Sequence, residues 1–197
     1  MKRALRYMVV TFLFLSGCVS TTFQTDWKDP AFRGKFNKVL VVCLVKEMVV
    51  RNALEDDLVA QFKTRGVDAV QSYKPFPSLE NMNQEIVRAK VRDIHADGVF
   101  LVRIIGKETI EVVTDQIITS GNSNYYDQRG VMTLPAFQGT AGGMIDRYKV
   151  ETSLYEAAKG GIVWQALSET YNDNPWTKTV KNFAVIMTKK LSEHGLI

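Results

Sequence analysis

From residue 38 onward, short apolar runs alternate with segments in which apolar residues recur every three or four positions. Val39–Val45 is a continuous apolar run rich in β-branched residues, which is typical of a strand buried on both faces. Residues 51–65 predict a helix, because one face carries an apolar residue every four positions. Those residues are Leu54, Leu58 and Phe62.

The alternation continues through a second repeat of strand and helix. Residues 67–73 predict a strand that ends before two prolines, and residues 82–95 predict a helix with a broad apolar face. Residues 99–105 predict a third strand after an Asp-Gly turn. A β-α-β-α-β order at this close spacing predicts a sheet with parallel neighbours and right-handed crossovers.

Beyond residue 106 the pattern changes to polar and apolar residues in alternation, which predicts a strand with one face in water. Two more strands are predicted at 148–156 and 162–171, joined by a glycine-rich hairpin turn. A final helix begins near Pro175. The predicted fold class is α/β (mixed α+β): one mixed sheet of about five strands, ordered β-α-β-α-β-β-β-α, with helices packed on it and a long loop or hairpin at 115–146.

The first residues predict an export signal. Lys2, Arg3 and Arg6 precede the apolar run 7–15, and that run is far shorter than the roughly 20 residues that span a bilayer. The run ends at Leu-Ser-Gly-Cys18, which resembles the lipobox of bacterial lipoproteins. The resemblance implies cleavage before Cys18 and lipidation of its thiol with acyl chains such as palmitate.

This resemblance divides the chain into three parts: a lipoprotein signal peptide at 1–17, a lipidated N-terminus and linker at 18–37, and a single α/β domain at 38–197. The residue after Cys18 is Val19, not the aspartate that retains enterobacterial lipoproteins in the inner membrane. The resemblance therefore implies an outer-membrane anchor with the domain in the periplasm. In the linker, Trp27, Phe32 and Phe36 are interpreted either as docking on the domain or as lying at the lipid interface.

Charge and cysteine content argue against a nucleic-acid partner and against an intramolecular disulfide. The formal net charge is +4, and removal of residues 1–17 with their three cations lowers it by three, to +1. The remaining chain has no Lys/Arg-rich block, so we expect no nucleic-acid partner. Once Cys18 is acylated, Cys43 is the only thiol left. We expect no intramolecular disulfide and interpret Cys43 as a buried structural residue.

The sequence contains no motif that predicts catalysis. The two histidines, His95 and His194, fall near predicted helix ends, where a cation suits the helix dipole. No metal-ligand spacing, nucleophile elbow or Walker loop occurs, and the glycine-rich segment 139–143 lacks the lysine that a phosphate loop needs. We expect a protein that is not an enzyme, with no catalytic residues, no metal and no cofactor.

One charged residue interrupts a predicted buried strand. Arg103 lies inside the third predicted strand, and a buried arginine must pair with an acid or emerge at the sheet edge. Glu55 and Glu151 are its candidate partners, and ligand binding is the alternative.

The long connection at 115–146 is a candidate for function, because structureless loops of that length are usually functional or disordered. Its aromatic residues form a possible partner-binding loop, with a hairpin tip of no function as the alternative. These residues are Tyr125, Tyr126 and Phe137.

Several segments in a fixed order resemble a group of small, uncharacterised bacterial lipoproteins. Their domain is similar to the N-terminal α/β domain of TolB and to the core of the curli secretion lipoprotein CsgG. The likeness covers residue 38 to the C-terminus and implies an envelope binding or assembly module, without catalytic residues to carry over. The segments are Lys38–Val42, Arg51 with Glu55, Gly66–Val70 with Ser72 and Tyr73, Ala96–Val99 with Leu101–Arg103, and Leu154 and Tyr155 before Trp164.

The favoured interpretation is a lipid-anchored periplasmic lipoprotein that binds an unknown envelope protein. A second interpretation is an oligomeric secretion component like CsgG, in which the segments 106–119 and 147–156 pair as a membrane-embedded extension. A regulator of peptidoglycan synthesis is a third, and a hydrolase or small-ligand binder that uses the long loop as a lid is a fourth.

Overall fold

A computed structural model describes residues 21–80, 82–114, 141–172 and 175–197. These residues form one six-stranded mixed sheet and three helices, which confirms the α/β class. The strands are β1 (Thr21–Lys28), β2 (Lys38–Leu44), β3 (Asp68–Gln71), β4 (Gly98–Thr114), β5 (Ala141–Glu156) and β6 (Ile162–Asn172). The helices are α1 (Met48–Thr64), α2 (Gln84–Asp93) and α3 (Trp176–Glu193).

The sheet has the strand order β1-β6-β5-β4-β2-β3. The parallel neighbours expected from the β-α-β-α-β order are present, because β2 pairs parallel with both β3 and β4. The remaining pairs, β4 with β5, β5 with β6 and β6 with β1, are antiparallel. The sheet therefore has a parallel part built by helical crossovers, β4-β2-β3, and an antiparallel part, β1-β6-β5-β4.

Strand β2 lies at the centre of the packing, as its apolar run predicts. Side chains alternate across a strand, so Val39, Val41 and Cys43 enter the larger core beneath α1 and α3. Leu40 and Val42 enter the smaller cluster beneath α2. Burial on both faces explains why the sequence of β2 has no polar alternation.

The prediction of a linker at 18–37 is wrong for the segment that forms β1. Thr21–Lys28 pairs antiparallel with β6, from Thr21 opposite Thr170 to Lys28 opposite Trp164, which makes six strands instead of about five. The segment resembles a linker in sequence because an edge strand with a wet face needs few apolar side chains, and its pairing comes from backbone hydrogen bonds.

The aromatic residues near this strand have different positions. Phe36 is buried, and the ring of Phe32 stacks on it at 5.3 Å between centroids. Both therefore dock on the domain, one of the two predicted positions. Trp27 instead is 49% exposed on the edge strand.

Strand β4 joins the third predicted strand and the alternating segment beyond residue 106 in one element, and strand β5 begins at Ala141, seven residues before its predicted start at 148. They pair from Gly98 opposite Glu156 to Thr114 opposite Ala141, with one bulge between Ile104 and Gly106. Residues 141–146, expected within the long connection, therefore belong to β5. In the described chain β2 follows β4 only to Arg103, and β6 follows β5 only to Asp146. The distal residues 105–114 and 141–147, which we name the arm, extend past the end of β2, and in the described chain their outer part, 110–114 with 141–145, is two-stranded.

Candidate functional site

A polar cluster is buried at the junction of α1, β2 and β3. Arg51 and Glu55, one helical turn apart on α1, are 2% and 0% exposed, and Arg51 Nε lies 3.2 Å from Glu55 Oε1. Arg51 Nη2 donates to Ser72 Oγ at 3.0 Å, and Ser72 Oγ donates to Glu55 Oε1 at 2.8 Å. The three side chains close a ring of hydrogen bonds inside the protein.

The backbone completes this cluster. Glu55 accepts the N–H groups of Cys43 at 3.0 Å and Tyr73 at 2.9 Å, and Arg51 donates to the carbonyl of Pro77 at 3.3 Å. The carboxylate therefore has four donors, three on Oε1 and one on Oε2, and it is closed to solvent. The cluster is structural: it joins the ends of two parallel strands to the helix that connects them.

Cys43 has the role that the sequence predicts. It is a free cysteine, fully buried, and desolvation together with the nearby Glu55 carboxylate raises the pKa of its thiol well above the ordinary value. A thiol held neutral in this way is a poor nucleophile and a poor metal ligand. Cys43 is a packing residue.

A second polar cluster ties β1 to the rest of the domain. Asp26 on β1 accepts hydrogen bonds from Lys190 Nζ at 2.8 Å and Trp164 Nε1 at 2.7 Å, and both of its oxygens lie 2.9 Å from His194 Nε2. His194 is thus at the end of α3, as predicted, but it contacts a carboxylate of another element. Burial raises the pKa of Asp26, and these three donors outweigh it, so the pKa lies below the ordinary 3.8.

Arg103 pairs with one of its two predicted partners. Its guanidinium contacts both oxygens of Glu151, directly across the β4–β5 pair, at 3.0 and 2.9 Å. The expectation of a buried arginine is wrong, because the side chain is 51% exposed. The small cluster under α2 involves β2, β3 and the start of β4, so this face of the sheet is open to solvent at Arg103.

The base of the arm carries a ladder of ion pairs. Glu108 pairs with Arg147 and with Lys149, the latter at 3.1 Å, while Asp146 accepts from Lys107 at 3.0 Å. The hydrogen bonds from these cations lower the pKa values of both carboxylates. Next to this charged ladder, Met144 is 73% exposed. A strand edge without a partner can add a strand from another chain.

An apolar cleft lies beside the base of the arm. It has a volume of about 360 Å³ and sits between the first turns of α1 and α3, above β4, β5 and β6. We name it the end cleft, because it lies at the end of the sheet where β2 and β6 stop, while β4 and β5 continue into the arm. Its half-buried apolar lining includes Val50, Ile104 and Val180.

A second, larger groove of about 900 Å³ lies on the opposite face, against α2. Its floor consists of apolar side chains of β2, β4 and α2 such as Val42, Leu101 and Val91. Arg88, Arg92 and several other charged groups line its rim. The small helix α2 buries only Val91 fully, so it covers the sheet incompletely.

The remaining predicted site residues fall outside the described residues. These are Cys18 and the aromatic residues Tyr125, Tyr126 and Phe137. Of the glycine-rich segment 139–143, the backbone of 141–143 is described, and it forms part of strand β5. His95 lies just after α2.

The part of the chain that the structure describes offers no metal-binding cluster. Within residues 21–80, 82–114, 141–172 and 175–197, no group of three or more His, Cys, Asp or Glu side chains is placed to hold a metal ion. Among the helices of these same segments, none is both long and apolar enough to span a membrane.

Comparison with known proteins identifies similarity in fold only. No protein-family model matches the chain, and no curated protein matches its sequence. A solved structure of the PelC dodecamer from Paraburkholderia phytofirmans matches with a TM-score of 0.50 and 10% identity, over 87% of this chain and 96% of that one. The lipoprotein GNA1162 from Neisseria meningitidis matches with a TM-score of 0.42 and 10% identity, over 79% of this chain and 98% of that one. The PelC match shows a shared α/β fold.

Proposed function

We propose that the protein is a non-enzymatic, lipid-anchored module of the bacterial cell envelope that binds or assembles with other envelope proteins. Acylated Cys18 would hold it in the outer membrane, with the α/β domain in the periplasm. The observation that carries this proposal is the free edge of β4, next to exposed apolar side chains, on an arm that leaves the body of the sheet.

The arm supports the assembly part of the proposal. In the described chain, β2 pairs with β4 no further than Arg103, so the β2-side edge of residues 104–114 has no strand beside it. Unpaired N–H and C=O groups on such an edge can add a strand from another chain. Ile105 is 48% exposed on this segment and Met144 lies on the paired strand, so apolar contact is available to the same partner.

The topology supports the anchor part. β1 begins at Thr21, three residues after Cys18, and Thr21 pairs with Thr170 near the end of β6. That end of the sheet is also where β4 continues into the arm. An acyl chain on Cys18 would therefore keep the arm close to the membrane surface.

One specific observation favours assembly with further copies of this chain. The matched PelC structure is a dodecamer, and the folded chain offers a free strand edge that a second copy can meet. A repeated contact between two different surfaces of one chain closes into a ring when the rotation allows it.

Two measurements test the proposal. Cells expressing the protein are grown with an alkyne-tagged fatty acid, and we expect label on the wild-type protein in the outer-membrane fraction and none on Cys18→Ala. Native mass spectrometry of the detergent-solubilised lipoprotein then reports its assembly. Unlabelled wild-type protein would contradict the anchor, and a monomer with no co-purified envelope protein would contradict the assembly role.

A further inference from the structure

We infer that the end cleft binds one of the acyl chains carried by Cys18. The inference rests on the proposed function, since it requires Cys18 to be lipidated. It assigns an occupant to the apolar space between the first turns of α1 and α3.

The short distance along the chain makes this occupant reachable. Thr21 is buried, and its hydroxyl lies 3.0 Å from that of Thr170, which lines the cleft. Only three residues lead from Cys18 to Thr21, a span of at most about 11 Å. The first carbons of a chain attached to Cys18 are therefore confined to the neighbourhood of the cleft.

The lining of the cleft fits an alkyl chain. Only Glu47 and Lys107 are charged among its 15 lining residues. Val50, Ile104 and Val180 are half-buried there, so an alkyl chain that covered them would remove apolar surface from water. The groove against α2 is the poorer candidate, because charged residues such as Arg88 and Arg92 line it and β1 lies at the far edge of the sheet.

Occupancy of the cleft changes the strength of the anchor. Two acyl chains hold a protein stably in a bilayer, whereas one chain holds it only marginally and reversibly. A chain that leaves the bilayer for the cleft leaves one chain fewer in the membrane and so weakens the anchor. The end cleft thus gives the protein a way to loosen its membrane attachment without cleavage.

Photo-crosslinking tests the inference on the native lipoprotein. Cells are supplied with a fatty acid that carries a diazirine and an alkyne, membranes are irradiated, and digested peptides are identified by mass spectrometry. We expect the acyl chain on the Cys18 peptide to be joined to peptides that contain Val50, Ile104 or Val180. Adducts of these peptides with phospholipid instead would show that a membrane lipid is the occupant and would overturn the inference.

A matched pair of variants locates the occupied space. Val180→Trp fills the cleft, whereas Val185→Trp puts the same side chain on the same helix at a position that is 37% exposed and outside the cleft lining. We expect Val180→Trp to lose the cross-link and to transfer more slowly between vesicles of phosphatidylethanolamine and phosphatidylglycerol than Val185→Trp. Equal cross-linking in the two variants, with equal transfer rates, would overturn the inference.

The outcomes separate this inference from the proposed function. If Cys18 carries no label, the lipid anchor is wrong and the inference fails with it. If Cys18 is labelled but its chain reaches no cleft peptide in the wild-type protein, the anchor stands and the inference alone fails. The wild-type measurement does not depend on either variant folding.

Discussion

Replacement of Glu55 by glutamine tests whether the buried polar cluster holds the domain together. The change keeps the size of the side chain but removes its charge. Glu55 accepts from Arg51, Ser72 and the backbone of Cys43 and Tyr73. A glutamine amide has one oxygen and one NH₂ group, so in either orientation at least one of these donors faces another donor.

The structure sets the size of the expected effect. Arg51 is 2% exposed, so without the Glu55 carboxylate it remains as a buried cation with no counter-ion among the residues that the structure describes. Loss of one partner of a buried ion pair destabilises a protein by about 3–5 kcal/mol. This is a large share of the roughly 5–15 kcal/mol that separates most folded domains from the unfolded state.

Urea denaturation followed by circular dichroism measures the change. For a urea m-value of about 2 kcal/mol per M, a loss of about 4 kcal/mol lowers the midpoint by roughly 2 M. The double variant Arg51→Met with Glu55→Gln carries no unpaired buried charge. We expect it to recover about 1–3 kcal/mol relative to the sum of the two single variants.

Glu193→Gln is the matched control. Glu193 makes the same type of pairs near the end of α3, with Lys189 at 3.8 Å and Lys190 at 4.0 Å, but it is exposed. We expect its free energy of unfolding to change by less than about 0.5 kcal/mol. If Glu55→Gln changed stability as little as this control, our account of the cluster would be refuted.

Three further predictions concern other parts of the domain. The pKa of Asp26 is lowered in the folded protein, so its carboxylate stabilises the fold above pH 3.8, and this stabilisation is lost as the pH falls through the folded pKa. In urea titrations, the stability advantage of wild type over Asp26→Asn should therefore shrink on acidification. An advantage that stayed constant with pH would contradict this. A Cβ at Gly98 would lie 2.5 Å from the buried ring of Phe36, so Gly98→Ala should lower the free energy of unfolding by about 1–3 kcal/mol. A Cβ at Gly161 would meet no atom within 4 Å apart from its chain neighbours, so Gly161→Ala should not produce this loss. Arg103→Met should cost less than about 1 kcal/mol because the ion pair is exposed, and a larger loss in thermal or urea unfolding would show that the pair is more important than its exposure indicates.

The sequence predicts the helices and central strands because each buries apolar residues in a pattern that its own sequence shows. The apolar run of β2 and the four-residue repeat on α1 each identify the face that a single element buries, and the β-α-β order then restricts the topology. The arm could be predicted only in part. Alternation beyond Gly106 indicates a strand, but the strand that pairs with it begins at Ala141, in a segment whose glycines suggest a loop.

The two polar clusters show why a local pattern is insufficient. Arg51 and Glu55 at positions i and i+4 look like an ordinary surface ion pair, yet they lie on the same helical stripe as Leu54, Leu58 and Phe62. A charged pair inside an apolar stripe was the available signal for burial. Asp26 gave no such signal, because its partners Trp164 and His194 lie 138 and 168 residues away in the sequence.

The sequence by itself determined the α/β class, the parallel core around β2 and the packing role of Cys43, because each depends on hydrophobic periodicity within one element or on the order of neighbouring elements. Only the tertiary structure decided that Thr21–Lys28 is a sixth strand and that the start of this strand lies beside an apolar cleft. Both features arise where distant segments meet: backbone pairing at an edge needs no apolar pattern, and a cleft belongs to the space between elements and to none of them alone.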